Sequence, residues 1–351
     1  MASDHPLAMT MRAWQYSSTK NGGLDQNLKL NPSARIPTPK PNQHLVQILA
    51  TALNPVDYKP AEIPLVGRVL VSYPATPGLD YVGTIVVPAS GSPLRAGQLV
   101  FGVAGTSPLA GGAMAEYALV EDKRAILVPE GVGTLDAATL GVAALTAYQS
   151  IVPRVREGDR IFINGGSGGT GTFGIQFAKA IGCHVTTSCS TTNVELCKSL
   201  GADEVLDYKK GSVLDALLAS EKFDHAVDNV GHIEDKALWW KCHEYMKPGA
   251  SYVLVAGEIS VPSVVDMAKR ALLPRFLGGL KGKVDGFWPE PKPEDLQKVA
   301  TWVKEGTVKV TIDHTFSFEE GAEAVTKLKS GRAKGKILID VALATYKPVR
   351  E

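Results

Sequence analysis

The sequence predicts a two-domain α/β protein in which a doubly wound parallel sheet interrupts a β-rich domain. The chain has 351 residues, and two domains are expected because globular domains average about 100–200 residues. Short β-type runs fill the N-terminal part, and strands then alternate with helices. Prolines at 289, 291 and 293 end this alternation. The predicted pieces are therefore residues 1–135 and 289–351, which form one domain, and the inserted residues 136–288.

The N-terminal piece is predicted to consist of short strands. Its β-type runs are separated by prolines and glycines, which is typical of an irregular barrel or sandwich. The predicted strands are 45–49, 84–87, 98–101 and 114–120.

The middle piece alternates strands with helices. Thr134 or Asp136 is a suitable cap for a helix at 137–151, and a second helix is predicted at 172–181. Such alternation predicts a parallel sheet covered by helices on both faces. The predicted strands are 160–164, 184–189, 204–208, 223–228 and 251–256, with a further helix at 194–200. In the C-terminal piece, the pattern predicts helices at 294–305 and 319–329 and strands at 309–312 and 336–341.

The charge balance argues against a nucleic-acid or membrane partner. Lys and Arg total 37 and Asp and Glu total 36, whereas a binder of nucleic acid or acidic lipid would show a basic excess. No apolar run reaches the roughly 18–20 residues that span a bilayer. The N-terminus has neither a signal-peptide core nor an Arg-rich presequence. We therefore expect a cytoplasmic protein.

The distribution of cysteine and histidine predicts that no metal is bound. Zinc sites are built mainly from clustered Cys and His ligands. Only His5 and His44 precede the inserted residues 136–288, and every cysteine follows residue 180 without a C-x-x-C pair. The four cysteines, expected to be reduced thiols, are Cys183, Cys189, Cys197 and Cys242.

A glycine-rich loop predicts a dinucleotide site. Gly166, Gly168 and Gly171 fit the pattern G-x-G-x-x-G directly after a strand and at the start of a helix. The first glycine permits a tight turn, the second admits a pyrophosphate close to the backbone, and the third lets the helix pack on the strand. The helix N-terminus adds free N–H groups and partial positive charge.

The turn after the next strand favours NADP(H) over NAD(H). An NAD site normally places an acid here to bind the ribose 2′-hydroxyl. This chain has the uncharged donors Ser190, Thr191 and Asn193 in the turn, and the first acid after the strand is Glu195.

Several segments together resemble the zinc-free branch of the medium-chain dehydrogenase/reductase superfamily, the quinone oxidoreductases and enoyl reductases. The resemblance extends from about Arg12 to Val341 and is nearest to reticulon-interacting oxidoreductases and related fungal proteins. The segments that carry it are Asn54-Pro55-Val56-Asp57-Tyr58-Lys59, Pro77-Gly78-Leu79-Asp80, Gly111 to Tyr117, Leu145-Thr146-Ala147-Tyr148, Gly168 to Gly171, Leu200 to Tyr208, and Gly331 to Lys336.

The resemblance implies a Rossmann domain inserted into a GroES-like catalytic domain, with the substrate between them. It also implies NADPH, and a homodimer formed through the Rossmann sheet edge near residues 284–287. In such relatives a lysine often stands where this chain has Asn193. By position, the resemblance assigns the pyrophosphate to Ser167, Gly169 and Thr170, the adenosine 2′-phosphate to Ser190 and Tyr208, and further cofactor contacts to Asn229, Ala256 and Lys336.

The resemblance also implies hydride transfer from the nicotinamide to a quinone or an α,β-unsaturated carbonyl. The cofactor carries the hydride, so the protein has to orient the reactants and stabilise negative charge that develops on oxygen. Tyr58 is the candidate donor of a proton or of an oxyanion hydrogen bond, while Asn54 and Thr146 are expected to position the nicotinamide or the carbonyl. Alternatively, Tyr58 only packs in the wall of the cleft.

Two other functions remain open at this stage. One is a trans-acting enoyl reductase of a polyketide or fatty-acid pathway, which would need a basic patch on its own surface to dock the carrier. The other is a non-catalytic NADPH-binding sensor. The residues available for a basic patch are Lys269, Arg270, Arg275, Lys281 and Lys283.

Overall fold

The computed structural model of the protein describes residues 10–20, 22–63, 71–105, 111–231, 236–255 and 281–342. The chain divides into two units. The first comprises Met1–Val142, Pro291–Lys304 and Ile312–Glu351, and the second comprises Ala143–Glu290 and Glu305–Thr311. Each unit has a hydrophobic core of its own. The finer domain bounds expected from the sequence stay a prediction.

The first unit is β-rich. In its described part, a seven-stranded mixed sheet has β14-β15-β3-β4-β5-β7 in order, with β6 also paired to β3, and β1 and β2 form a separate antiparallel pair. Only β14 and β15 run parallel among the pairs of this sheet. The strands are β1 Thr10–Gln15, β2 Lys29–Arg35, β3 Gln43–Leu53, β4 Asp80–Val87, β5 Leu99–Val103, β6 Tyr117–Glu121, β7 Ala125–Leu127, β14 Ile312–Ser317 and β15 Lys336–Asp340.

Apolar side chains from the sheet and the surrounding segments form the core of the first unit. Trp14, Tyr81 and Phe318 are buried in it, and the indole N–H of Trp14 donates to the backbone oxygen of Phe318 at 2.6 Å. The core also includes residues of the helix that joins β14 to β15, such as Val325. The helices of this unit are α1 Leu24–Asn27, α2 Lys59–Glu62, α3 Thr134–Ala138, α10 Pro293–Lys304 and α11 Gly321–Lys329.

The second unit is built on a parallel sheet. As far as the structure describes it, the sheet has six strands in the order β10-β9-β8-β11-β12-β13, and every pair in it is parallel. Numbered from β8, this is the strand order 3-2-1-4-5-6 of a Rossmann fold. The strands are β8 Arg160–Asn164, β9 His184–Cys189, β10 Glu204–Asp207, β11 Phe223–Asp228, β12 Met246–Leu254 and β13 Lys283–Gly286.

Both faces of the parallel sheet are buried. Alternation along β8 places Ile161 and Ile163 in one cluster and Phe162 in the other, because successive side chains of a strand point to opposite faces. Helix α4 packs against α5, where the Tyr148 and Phe177 rings meet edge to face at 6.0 Å. The helices are α4 Leu145–Ile151, α5 Gly169–Ile181, α6 Val194–Ser199, α7 Val213–Ala219, α8 Lys236–Trp240 and α9 Cys242–Tyr245.

The structure confirms the predicted fold class and corrects several element bounds, of which three follow. The expected helix 137–151 is divided into α3, a π-helical segment Leu140–Ala144, and α4. Helix α5 begins at Gly169, three residues before the predicted start. The strand expected at 309–312 is β14, Ile312–Ser317, whose polar Asp313 and His314 hide the β pattern.

No helix among the described residues is long and apolar enough to cross a lipid bilayer.

Candidate active site

The glycine-rich loop joins β8 to α5 in the second unit. A side chain at Gly166 would place its Cβ 2.1 Å from the Thr187 hydroxyl oxygen, and one at Gly171 would lie 2.2 Å from the Gly165 carbonyl oxygen. Close packing against β9 and within the loop therefore requires both glycines. At Gly168 a Cβ would meet only the Gly165 oxygen, at an ordinary 3.6 Å. The protein itself thus leaves room at Gly168, where the pattern predicts that a pyrophosphate approaches.

The N-terminus of α5 directs backbone N–H groups at this loop. Thr172 N–H donates to the Gly168 carbonyl at 2.9 Å, so the preceding N–H groups of Gly169, Thr170 and Gly171 stand ahead of the first helical hydrogen bond. Such groups, with the dipole of a 13-residue helix, attract an anion. Ser167, also assigned to the pyrophosphate, is half-buried in the same loop.

Sequence reasoning did not find the hydrogen-bond chain that supports the loop. The Ser188 hydroxyl on β9 accepts from Gly165 N–H at 3.0 Å and donates to the Asn164 side-chain oxygen. Asn164 in turn donates to Asp228 at 2.8 Å, and Asp228 accepts from the buried Tyr252 hydroxyl at 2.6 Å. The only signal in the sequence was a run of hydroxyl residues in an otherwise apolar strand.

The structure brings the turn after β9 onto the glycine-rich loop. The Asn193 side-chain amide donates to the Ser167 hydroxyl at 3.0 Å and to the Ser190 hydroxyl at 3.2 Å. Both amide hydrogens of Asn193 are therefore used within the protein. Asn193 thus positions two predicted cofactor residues, and its own contact with the cofactor stays a prediction. Thr191 is exposed in the same turn.

Tyr208 lies beside this turn. It follows β10, which runs parallel to β9, and its N–H donates to the Cys189 carbonyl at 3.2 Å. Its side chain is 51% exposed. Ser190 and Tyr208, which the sequence assigned to the same phosphate, therefore emerge at neighbouring strand ends.

Asn229 stands at the end of β11, where the strand order of the sheet reverses. Its backbone and side-chain N–H groups both donate to the Asn164 carbonyl at 3.2 Å. Its side-chain oxygen is buried and has no hydrogen-bond partner among the described residues. An unpaired buried acceptor at this position fits the predicted contact with a bound ligand. Ala256, also predicted to contact the cofactor, lies outside the described residues.

In the first unit, Asn54 caps the turn Pro55–Asp57 after β3. Its side chain is buried and donates to the Ala52 carbonyl at 3.2 Å and to Asp80 at 2.9 Å, while its oxygen accepts from Lys336 at 2.6 Å. Asn54 was expected to contact the nicotinamide or the carbonyl. The structure shows its amide committed to protein partners.

Lys336 is likewise hydrogen-bonded to protein groups. Its ammonium group, with a side chain 2% exposed, donates to the Leu53 carbonyl at 3.1 Å, to Asn54 and to the Asp80 carboxylate at 3.1 Å. An ammonium group has three N–H donors, and all three are directed at protein oxygens. Here Lys336 neutralises a buried acid, and its contact with the cofactor stays a prediction. The residues Asn54, Asp57, Asp80 and Lys336 are called the buried polar cluster below.

The buried polar cluster contains two carboxylates and one ammonium group. The pKa of Asp57 is raised to about 7, mainly by burial. The hydrogen bond from Asn54 N–H opposes this rise, and the nearby charge of Asp80 contributes to it. Burial also raises the pKa of Asp80, while Lys336 opposes that rise. The cluster can therefore bind a proton close to neutral pH.

Tyr58 follows the capped turn directly. It is half-buried, and burial raises the pKa of its hydroxyl, as does the charge of Glu62. The Lys329 ammonium lies 5.7 Å from the centre of the Tyr58 ring and is itself bridged to Asp25 at 2.5 Å and Glu62 at 2.9 Å. A raised pKa keeps the phenol protonated, as a hydrogen-bond or proton donor requires.

Thr146, the remaining catalytic candidate, is buried on α4 of the second unit. Within the described residues no group of three or more His, Cys, Asp or Glu side chains could hold a metal ion. The four cysteines are free thiols, all buried in the second unit. Metal independence stays a prediction.

Taken with the strand order, the loop geometry defines a class: a Rossmann-type dinucleotide-binding protein with an attached GroES-like unit. Comparison with known proteins agrees. Residues 40–130 match the family model of the alcohol dehydrogenase GroES-like domain, and residues 200–339 match that of the zinc-binding dehydrogenases.

Similar proteins extend over nearly the whole chain. Trans-enoyl reductase pgmF of Aspergillus terreus is 43% identical over 97% of this chain and 98% of its own length. The chloroplastic NADPH-dependent alkenal/one oxidoreductase of Arabidopsis thaliana is 30% identical over 97% of this chain and 82% of its own. The solved structure of the quinone oxidoreductase from Coxiella burnetii is 27% identical, with a TM-score of 0.82 over 94% of this chain and 99% of that one.

The chain belongs to the medium-chain dehydrogenase/reductase superfamily, in its quinone and enoyl reductase branch. It is thus an oxidoreductase of a family whose members bind NAD(P)H. The predicted family is confirmed. The individual site residues were not tested by these comparisons.

Proposed function

We propose that this protein is an NADPH-dependent, zinc-independent reductase of α,β-unsaturated carbonyls or quinones. The observation that carries the proposal is the glycine-rich loop, with its open position at Gly168 and the free N–H groups at the start of α5, in a Rossmann-ordered sheet. Similarity to a trans-enoyl reductase and to an NADPH-dependent alkenal/one oxidoreductase supports the substrate class.

The bound nicotinamide would supply the hydride, which is one proton with two electrons, to the β-carbon of the enone. The chain's own residues have the remaining tasks. Gly169 and Thr170 bind pyrophosphate at the helix start, and Ser190 and Tyr208 contact the adenosine end. Tyr58 donates a hydrogen bond, or a proton, as negative charge develops on the substrate.

The buried polar cluster is proposed to hold Tyr58 in place. Asn54 caps the turn that ends at Tyr58, and Lys336 and Asp80 fix the Asn54 amide through bonds of 2.6 and 2.9 Å. We therefore interpret Asn54 and Lys336 as positioning residues, because their polar groups are already occupied. Thr146 keeps its proposed role beside the nicotinamide or carbonyl.

The test is NADPH consumption with a panel of a 1,4-quinone, an alkenal, a cyclic enone and an enoyl thioester. NADH is run in parallel, and a chelator is present throughout. Turnover of one class with NADPH, unaffected by the chelator, is expected. Cofactor binding without turnover of any member would favour the non-catalytic sensor, and loss of activity with chelator would contradict zinc independence.

A second candidate is the trans-acting enoyl reductase. Identity of 43% over 97% of the chain to a protein of that name favours it. It predicts that an enoyl group on a carrier protein is reduced faster than the same group on a short thiol. Lys281 and Lys283 of the expected docking patch are exposed, whereas Lys269, Arg270 and Arg275 lie outside the described residues.

We also propose a cytoplasmic homodimer. Its support is β13, which is the edge strand of the parallel sheet in the described chain and leaves one row of backbone groups for another strand. Light scattering on the purified protein is expected to give twice the mass of the 37.3 kDa chain. A single-chain mass at micromolar concentration would contradict the dimer.

A further inference from the structure

The turn after β9 lacks a cation for a phosphate. Ser190, Thr191, Thr192 and Asn193 are uncharged, and both amide hydrogens of Asn193 are bonded to Ser167 and Ser190. A phosphate monoester carries a charge of about −1.5 to −2 and binds most strongly through charge-assisted hydrogen bonds. The positive charge for a 2′-phosphate therefore has to come from outside this turn.

The next strand brings a lysine to the same place. β10 runs parallel to β9 with Asp207 opposite Cys189, so that the residues after both strands emerge on one edge of the sheet. Tyr208 N–H bonds to the Cys189 carbonyl, and the Lys209 ammonium lies 5.4 Å from the centre of the Tyr208 ring. A cation–π contact of this kind orients the Lys209 side chain.

The exposed side chain of Lys209 forms no ion pair with a carboxylate in the described chain. Nearby Asp207 accepts the backbone N–H of Lys209 at 3.0 Å, not its ammonium group. The neighbouring Lys210 differs, since its ammonium lies 3.9 Å from the Asp207 carboxylate. Across the turn, Lys198 pairs with Glu195 at 3.0 Å.

We propose that Lys209 binds the 2′-phosphate of NADPH and supplies the cation that the turn Ser190–Asn193 lacks. This inference rests on the proposed NADPH preference and names the residue that produces it. Lys209 supplies the positive charge from the end of the adjacent strand, β10. Tyr208 holds the ammonium in place, and the Ser190 hydroxyl completes the contact.

The experiment measures binding of adenosine 2′,5′-bisphosphate and of 5′-AMP to the full-length protein by calorimetry. These two probes differ by the 2′-phosphate alone. The variants are Lys209→Ala and Lys209→Arg, with Lys210→Ala as the matched control. Lys209→Ala is expected to weaken the bisphosphate about tenfold and to change 5′-AMP by less than about twofold. Lys209→Arg retains the bisphosphate affinity, and Lys210→Ala changes neither probe.

Three outcomes contradict the inference. One is a bisphosphate preference that survives Lys209→Ala, and another is an equal loss of affinity for both probes. The third is the same loss in Lys210→Ala, which would show a diffuse surface charge instead of a contact. These outcomes leave the NADPH preference of the wild type intact. A wild-type protein that binds both probes equally would instead overturn the proposed NADPH preference, and this inference with it.

Discussion

Replacement of Lys336 by methionine is expected to destabilise the first unit strongly. Methionine keeps the length of the side chain but removes an ammonium group that donates three hydrogen bonds, at 2.6 to 3.1 Å. Among the described residues it leaves the carboxylate of Asp80, which is fully buried, with only the Asn54 amide and the Val142 N–H as partners. Removal of one member of a buried ion pair typically costs about 3–5 kcal/mol.

The loss should depend on pH. Asp80 without Lys336 has no counter-charge, so its pKa rises further and the neutral acid is the tolerated form. The free energy of unfolding of Lys336→Met should therefore lie closer to the wild-type value at pH 5 than at pH 8. Urea unfolding at both pH values, followed by circular dichroism, measures the difference.

A double-mutant cycle supplies the control. Asp80→Asn keeps the shape of the carboxylate and removes its charge, so Asp80→Asn with Lys336→Met should be at least about 1 kcal/mol more stable than the sum of the single losses. A free energy of unfolding of Lys336→Met within about 1 kcal/mol of the wild-type value would show that Lys336 does not stabilise Asp80. Strict additivity in the cycle would show that the two residues are not coupled.

Three further predictions concern the loop, the candidate donor and the second buried acid. Gly166→Val should abolish cofactor binding, measured by calorimetry, and lower the free energy of unfolding by about 1–3 kcal/mol, because its Cβ collides with Thr187. Gly168→Ala should weaken cofactor binding and leave the free energy of unfolding at the wild-type value. Tyr58→Phe should lower enone turnover about 10²-fold and leave NADPH affinity within about twofold. The pKa of Asp57 is raised to about 7, so the native state binds more protons than the unfolded chain between about pH 4 and 7. The free energy of unfolding should therefore fall as the pH rises through this range. Asp57→Asn should reduce this dependence on pH, measured by urea titrations.

The second unit was largely predictable because its signals are local. Strands β8, β9 and β11 have the bounds that the sequence predicts, since each is a short β-type run within an alternation of strands and helices. The glycine-rich loop was found for the same reason. Its spacing reflects contacts within a few residues and one neighbouring strand.

The errors arise where distant residues determine the structure. The Asp80 carboxylate accepts the Val142 N–H at 2.6 Å, and the helix expected at 137–151 is π-helical around that residue. Burial of Lys336 among Leu53, Asn54 and Asp80 joins the C-terminal piece to the N-terminal one. A single sequence shows neither that a lysine is buried nor that an asparagine has no free hydrogen-bonding group.

Hydride transfer from NADPH to an unsaturated carbonyl is the proposed activity of this protein. The most direct measurement uses NADPH deuterated at C4, separately on each face, with a cyclic enone, and mass spectrometry of the saturated ketone. NADPH deuterated on one of the two faces is expected to give a ketone that carries one deuterium at the β-carbon, with one NADP⁺ formed per ketone. Unlabelled product from both cofactors, or no product under conditions where NADPH is bound, would contradict this proposal.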